Sequence, residues 1–152
     1  AGLRFDVLGK DIYPDANFTL RLSYGVVKGW NDPVHGEVKP FTYASGLWER
    51  ATGAYPFNLA NRWIDGRSKI PGNTQFNFVT TNDVVGGSSG SPALDREGRI
   101  IGLVFDGNIH STGGAFGFDP ALNRTVAVSS EMILRALRSI YGANALADEL
   151  QK

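Results

Sequence analysis

The chain has 152 residues, with 15 lysines and arginines against 15 aspartates and glutamates, and 42% of its residues are hydrophobic. This length suits one domain that buries roughly two-thirds of the surface of its unfolded chain. The hydrophobic content excludes a disordered protein, and the balanced charge excludes a basic surface that binds nucleic acid or anionic lipid. The absence of cysteine excludes a disulfide framework, a thiolate nucleophile and sulfur ligands for a metal.

Two features bear on the cellular context. No apolar run reaches the ~18 residues of a membrane-spanning helix, so we expect no membrane span. The chain starts at Ala1-Gly2 without an initiator methionine or a signal peptide, and we expect it to be part of a longer polypeptide. No motif indicates a metal ion or an organic cofactor, and we expect neither.

The first half of the chain predicts one strand and two short helices. Apolar and polar residues alternate over residues 18–27, a pattern typical of a half-buried strand. A Gly- and Pro-containing loop with His35 follows it. Residues 45–53 and 58–66 predict helices, because each segment begins at a residue suited to capping and ends at a glycine.

The second half predicts further strands and the longest helix. Strands are expected at residues 76–80, 93–95, 99–105 and 124–129, and the near-continuous apolar run of 99–105 predicts burial on both faces. Residues 130–141 predict a helix that Ser130 caps and Gly142 ends, and residues 144–150 predict a further helical turn or two. The sequence therefore predicts a single mainly β domain over residues 1–152, with short helices and a C-terminal helix.

The run Gly86-Gly87-Ser88-Ser89-Gly90-Ser91-Pro92 allows three interpretations. A flexible Gly/Ser linker is one, and a phosphate-binding loop, although without the lysine of a P-loop, is another. The third is a serine nucleophile in a glycine-lined turn, whose backbone N–H groups converge on an oxyanion. The run matches the Gly-Asp-Ser-Gly-Gly-Pro pattern of chymotrypsin-like proteases with two substitutions. On that alignment Ser89 is the nucleophile, and the N–H groups of Gly87 and Ser89 form the oxyanion hole.

A serine nucleophile needs a neighbouring base, and the chain has two histidines, His35 and His110. Both fall in predicted loops, where a histidine without a catalytic role is the favoured interpretation. The order His35, then Asp65 or Asp83, then Ser89 follows that of chymotrypsin-like proteases. Those folds place His and Asp in a separate barrel, however, so this sequence supplies a nucleophile without a base.

Four stretches resemble the C-terminal part of bacterial dipeptidyl-peptidases of the dipeptidyl-peptidase 7 and dipeptidyl-peptidase 11 family. They are residues 13–25, 47–53, 76–83 and 102–108, in family order around the serine motif, and the resemblance covers roughly residues 12–150. It implies a chymotrypsin-like double β-barrel peptidase with an inserted helical domain, of which this chain is the C-terminal barrel. Such enzymes release dipeptides from the free N-termini of peptides, at the cell surface or in the periplasm.

The resemblance also implies roles for individual residues. Ser89 falls on the catalytic serine, Asp106 on an acidic residue that binds the substrate's ammonium end, and Gly107 on the position that separates specificities. Arginine at that position accompanies acidic residues before the scissile bond, and glycine accompanies large hydrophobic ones. Ser88 stands where the family usually has asparagine, which bears on rate and fine specificity.

The family's catalytic His and Asp belong to the N-terminal barrel, so neither His35 nor His110 inherits a role. We therefore expect the isolated chain to be nearly inactive, with the N-terminal barrel and the helical domain of the same polypeptide as its partners and a homodimer as a possible assembly. The alternatives are a non-catalytic peptide-binding or structural module with a protease-like fold, in which Ser89 is incidental, and an independent protease that uses His35 or His110.

Overall fold

The strands form two antiparallel sheets. The computed structural model describes residue 7, residues 20–114 and residues 117–152. A hairpin pairs β1 (Trp30–Asp32) with β2 (Gly36–Val38), and a five-stranded sheet has the order β3-β4-β7-β6-β5. Its strands are β3 (Phe41–Tyr43), β4 (Gln75–Thr80), β5 (Pro92–Leu94), β6 (Ile100–Gly107) and β7 (Thr125–Ser129). The mainly β fold is confirmed, and within the described residues the sheet stays open instead of closing into a barrel.

The predicted helices are present with shifted boundaries. They are α1 (Ala44–Arg50), α2 (Asn61–Asp65), α3 (Ser130–Arg135), which continues as a π-helical turn (Ala136–Ile140), and α4 (Asn144–Glu149), besides two 3₁₀ turns, Arg67–Lys69 and Ile109–Gly113. None of the described helices has the length and apolar character that crossing a bilayer requires.

The caps differ from those predicted. Ser129 caps α3 in place of Ser130, because its Oγ accepts a hydrogen bond from the Met132 N–H at 3.1 Å. The first two helices begin one residue before and three residues after the expected capping residues, and no side chain caps either one. Gly142 does adopt the left-handed conformation at the end of the C-terminal helix, with φ of +66°, as expected after a helix.

The core lies between the helices and one face of the sheet. Ala44 and Trp48 of α1 pack with Met132 of α3, Ile140 of the π turn and Ile70. At most 8% of the surface of each of these residues is exposed to solvent, so the burial of their apolar side chains stabilises the domain. The predicted apolar faces of the two short helices (Leu47, Trp48, Leu59 and Trp63) pack in or against this cluster.

The strand predicted over residues 18–27 is not formed in its described part. Residues 20–26 have no strand conformation, and a single bridge joins Val27 to Thr80 of β4. Leu20, Leu22 and Tyr24 are 91%, 86% and 93% exposed. The Thr81 N–H donates to the Val26 carbonyl at 3.0 Å and the Ser23 Oγ donates to the Asp83 carbonyl at 2.9 Å, so the segment runs beside the residues that follow β4 without forming a regular strand. Residues 18 and 19 lie outside the described residues.

The prediction that β6 is buried on both faces is wrong. Ile100, Leu103 and Phe105 are 58%, 37% and 46% exposed, whereas Gly102 is buried. Three of the five apolar side chains of this run are therefore open to solvent in the described part of the chain. The residues on either side of the predicted loop at His35 form the β1–β2 hairpin, and His35 itself lies in the turn, as expected.

Candidate functional site

The Gly/Ser run forms an ordered turn between β4 and β5. Gly87 and Gly90 have φ of +97° and +89°, in the left-handed region that favours glycine. The Gly90 N–H donates to the carbonyl of Val104 at 2.7 Å, and the Val104 N–H donates back to the carbonyl of Ser91 at 2.9 Å. The turn is therefore fastened to β6 and does not behave as a free linker.

Three backbone N–H groups of this turn have no hydrogen-bond partner among the described residues, those of Gly86, Gly87 and Ser89. The N–H groups of Ser88, Gly90 and Ser91 donate to backbone carbonyls. The exposed Ser89 hydroxyl lies in the same turn and donates to the carbonyl of Phe105 at 3.2 Å. The amides of Gly87 and Ser89 beside this hydroxyl provide two parts of an acyl-transfer site, the nucleophile and the donors to an oxyanion.

This turn borders a cavity of about 240 Å³. Valine and phenylalanine side chains form one part of its wall, and hydroxyl side chains that include Ser88, Ser89 and Ser111 form another. Asp106 is the one charged residue among the described residues that line it. The volume is smaller than the roughly 300–1,000 Å³ of a pocket for a drug-sized ligand, so the cavity suits a single side chain.

A β-bulge places Asp106 and Gly107 at this cavity. The pairing of β6 with β7 shifts register between Val104 and Asp106, and such a bulge re-aims the side chains that follow it. Both residues belong to β6, so the Asp-Gly pair is not a hairpin turn here. The Asp106 Oδ1 accepts a hydrogen bond from the Gly107 N–H at 2.8 Å. The fold thus brings Ser89, Asp106 and Gly107 to one cavity.

The two histidines meet at Asp32, which the sequence reasoning missed. The His110 Nε2 lies 2.8 Å from one carboxylate oxygen of Asp32, and the His35 Nδ1 lies 3.1 Å from the other. Asp32 is 8% exposed and also accepts from the N–H groups of Val34 and His35. The contact with His110, followed by these amides, holds the pKa of Asp32 well below its usual range. An aspartate that bonds the amides two and three residues on has a local turn signature, but its contact with His110 has none.

Neither histidine serves Ser89 in this structure. Within the described part of the chain, no imidazole or carboxylate lies within hydrogen-bond distance of the Ser89 Oγ, whose partner is the Phe105 carbonyl. No cluster of His, Asp or Glu side chains in that part is arranged to hold a metal ion. The arrangement offers a nucleophile, amide donors and a small cavity, but no base.

The sequence profile of the peptidase S46 family matches residues 1–152. The chain is 38% identical over 148 residues to a dipeptidyl-peptidase 7 of Phocaeicola vulgatus, a match that covers 90% of this chain and 20% of that protein. It is 36% identical over 148 residues to an Asp/Glu-specific dipeptidyl-peptidase of Flavobacterium psychrophilum, with 92% and 21% covered.

Among solved structures, the fold is similar to that of DPP11 from Porphyromonas endodontalis in complex with the dipeptide Arg-Glu. The TM-score is 0.83 at 26% sequence identity, and the match covers 97% of this chain and 22% of that one. The chain thus spans about a fifth of the length of the relatives it matches.

Proposed function

Because this chain belongs to the peptidase S46 family, we propose that it supplies the nucleophile and the oxyanion hole of a serine dipeptidyl-peptidase. The observation that carries the proposal is the turn at residues 86–91, where the Ser89 hydroxyl lies beside the two unpartnered N–H groups of Gly87 and Ser89. Both residues are exposed, so these amide donors are accessible to the oxyanion of a bound substrate.

In the proposed reaction the Ser89 Oγ attacks the carbonyl carbon that follows the second residue of a peptide. A base takes the hydroxyl proton, and the oxyanion of the tetrahedral intermediate accepts hydrogen bonds from the amides of Gly87 and Ser89. The C–N bond then breaks, and the proton passes from the base to the leaving amine. Water hydrolyses the resulting acyl-enzyme and releases the dipeptide with Ser89 restored.

The base and its carboxylate partner are proposed to come from the N-terminal barrel of the same polypeptide. The family resemblance supports this, and so does the absence of an imidazole beside Ser89 in the described residues. The isolated chain would then be nearly inactive, because an oxyanion hole without a triad leaves only ~10³–10⁴-fold catalysis over water. The exposed apolar face of Leu20, Leu22 and Tyr24 supports a contact with further parts of that polypeptide.

The cavity favours an uncharged, hydrophobic second residue. Its wall is partly apolar, and its described lining holds the carboxylate of Asp106 and no lysine, arginine or histidine. An acidic side chain there would find no cationic side chain in the described lining, and this absence disfavours it. The relatives include both dipeptidyl-peptidase 7 and Asp/Glu-specific enzymes, so this preference depends on the cavity alone.

Asp106 is proposed to bind the free ammonium group of the peptide. Its side chain is exposed at the cavity, and one of its oxygens is engaged by the Gly107 N–H, which orients the carboxylate. A charge-assisted hydrogen bond to a cation discriminates against a blocked N-terminus, which lacks the charge.

By family resemblance, we propose that the complete enzyme is secreted to the periplasm or cell surface and forms a homodimer.

The test uses the complete gene product that contains this chain, assayed with fluorogenic dipeptides that carry hydrophobic or acidic second residues and free or blocked N-termini. We expect hydrolysis of hydrophobic, free-amine substrates and its loss by several orders of magnitude in Ser89→Ala. Ser91→Ala is the matched control, because its exposed hydroxyl belongs to the same turn and lies outside the cavity.

Each possible result of this assay supports or contradicts one interpretation of the site. Equal loss in Ser89→Ala and Ser91→Ala would indicate damage to the turn and would contradict the role of Ser89. A preference for acidic substrates would retain the mechanism and overturn the preference argued from the cavity. A folded protein without Ser89-dependent cleavage would favour the non-catalytic peptide-binding module.

A further inference from the structure

The space that a side chain at position 107 would need is already filled. A Cβ built on Gly107 would lie 2.7 Å from the Cβ of Ser111 and 3.3 Å from its Oγ. Carbon atoms that are not bonded do not approach to 2.7 Å without a shift of the structure. The other neighbour, the carbonyl oxygen of Arg124, is at an ordinary 3.6 Å. Ser111 is therefore the residue that packs onto Gly107, and one side chain occupies the volume shared by the two positions.

Ser111 is fixed in this place by several hydrogen bonds. Its Oγ donates to Asn108 Oδ1 at 2.9 Å and accepts from the Arg124 N–H at 3.2 Å. The Asn108 Oδ1 also accepts from the same Arg124 N–H at 3.0 Å, and the Asn108 Nδ2 donates to the Leu122 carbonyl at 2.7 Å. Arg124 is 2% exposed, so the network is anchored in the interior and Ser111 cannot easily move aside.

The short 3₁₀ helix that carries Ser111 is held at a second point. His110 precedes Ser111 and bonds the buried Asp32 of the β1–β2 hairpin at 2.8 Å. Both Gly107 and Ser111 line the cavity beside Ser89. A wall held by two independent anchors presents a fixed boundary to a substrate side chain, and such pre-organisation is what size selection requires.

We infer that Ser111 is a specificity-determining residue, because its side chain closes the Gly107 end of the cavity and so limits the size of the second residue of the peptide. The inference depends on the function proposed above, since it assigns the cavity to that side chain. It changes the role of Gly107. The absence of a side chain at position 107 leaves space that the Ser111 side chain fills, and this space is not available to the substrate.

The experiment compares Ser111→Gly, Ser111→Ala, Gly107→Ala and the double variant Gly107→Ala/Ser111→Gly in the complete gene product. For each, kcat/KM is measured on free-amine dipeptide substrates with alanine, valine, leucine or phenylalanine as second residue. Ser111→Gly should raise the ratio of kcat/KM for phenylalanine to that for alanine by about tenfold or more, the effect of one or two carbon atoms of pocket volume. Ser111→Ala retains the Cβ and should keep the wild-type ratio.

The double variant tests the shared volume. A Cβ at position 107 should partly restore the wild-type ratio once Ser111 is reduced to glycine, and the thermal unfolding midpoint should fall more for Gly107→Ala alone than for Gly107→Ala added to Ser111→Gly. Gly113→Ala is the control for the 3₁₀ helix, because a Cβ there meets nothing within 4 Å and should show no such coupling.

The inference and the proposed function fail in different ways. If the wild-type enzyme releases dipeptides but Ser111→Gly leaves the ratio unchanged, Ser111 does not limit the substrate and only the inference is overturned. An equal shift in Ser111→Ala and Ser111→Gly would overturn it as well, because the hydroxyl and not the volume would then act. A wild-type enzyme without dipeptidyl-peptidase activity would overturn both.

Discussion

His110 and Asp32, 78 residues apart in the chain, are joined by a hydrogen bond of 2.8 Å between Nε2 and a carboxylate oxygen. Asp32 lies at the end of β1, and His110 lies in the 3₁₀ helix beside the cavity. The contact ties the two-stranded hairpin to a wall of the candidate site. It adds a tertiary contact to a hairpin whose strands have only three residues each.

Removal of the Asp32 charge should weaken folding in a pH-dependent way. The pKa of Asp32 is lower in the folded chain than its ordinary value near 3.8, so its contribution is present above about pH 4 and is lost as the pH falls through the folded pKa. Asp32→Asn should therefore be less stable than wild type at pH 7, and the difference should shrink towards pH 2. Urea unfolding of the 152-residue chain between pH 2 and pH 7 measures this.

The exposed Asp65 provides the control for that series. Asp65→Asn should follow the wild-type curve closely, since no described residue forms a hydrogen bond or ion pair with its side chain. A constant difference between Asp32→Asn and wild type across the whole pH range would contradict a role for the carboxylate charge.

Replacement of Arg124 should be strongly destabilising. Its guanidinium is buried, which lowers its pKa, and its N–H groups donate to five backbone carbonyls, those of Lys28, Gly29, Pro120, Ala121 and Asn123. Arg124→Met leaves these acceptors without donors and should lower the free energy of unfolding by about 3 kcal/mol or more, since one unpaired buried group costs ~1–3 kcal/mol. Arg99→Met, at an arginine 74% exposed, should cost less than about 1 kcal/mol. Equal losses would argue against the carbonyl cluster.

Two glycine-to-alanine changes should have opposite effects. A Cβ at the buried Gly102 would lie 2.6 Å from the ring of Phe78 and closer still to the Val128 carbonyl, so Gly102→Ala should destabilise the chain by about 1–3 kcal/mol. Gly46 lies within α1, where a Cβ meets nothing within 4 Å. Gly46→Ala should stabilise by up to about 1 kcal/mol through helix propensity. The unfolding midpoints of both variants test these expectations. A lower midpoint for Gly46→Ala would contradict the finding that a Cβ at position 46 meets no other atom.

The Asp106 carboxylate should matter only for substrates with a charged N-terminus. Asp106→Asn retains an oxygen that can accept from the Gly107 N–H but removes the negative charge. We expect kcat/KM of the complete gene product to fall by about 10- to 100-fold on free-amine dipeptides, the loss of one charge-assisted hydrogen bond. The remote Asp148→Asn variant is the control. If Asp106→Asn left kcat/KM unchanged, Asp106 would not bind the ammonium group.

Local patterns predicted the turn that forms the candidate site but not the residues that surround it. The Gly/Ser run predicted a turn with Ser89 as the candidate nucleophile. Gly87 and Gly90 adopt a positive φ, a conformation that favours glycine, and the glycines can be seen in the sequence. The alternation in β4 likewise predicted that strand, and its Phe76 packs against the core cluster. The burial of β6 on both faces was predicted wrongly, because an apolar run in the sequence does not show whether other residues will cover its side chains.

The sequence by itself determined the glycine-lined turn at residues 86–91, the mainly β class and the C-terminal helix, because each depends largely on interactions between residues close in the chain. Only the tertiary structure decided that His110 bonds Asp32 and that Ser111 fills the space at Gly107. The first contact joins residues 78 positions apart, and the second depends on the angle at which a 3₁₀ helix returns onto β6. Close packing in the folded chain fixes such contacts. The order of residue types in the sequence does not give the distance between two segments that lie far apart in the chain.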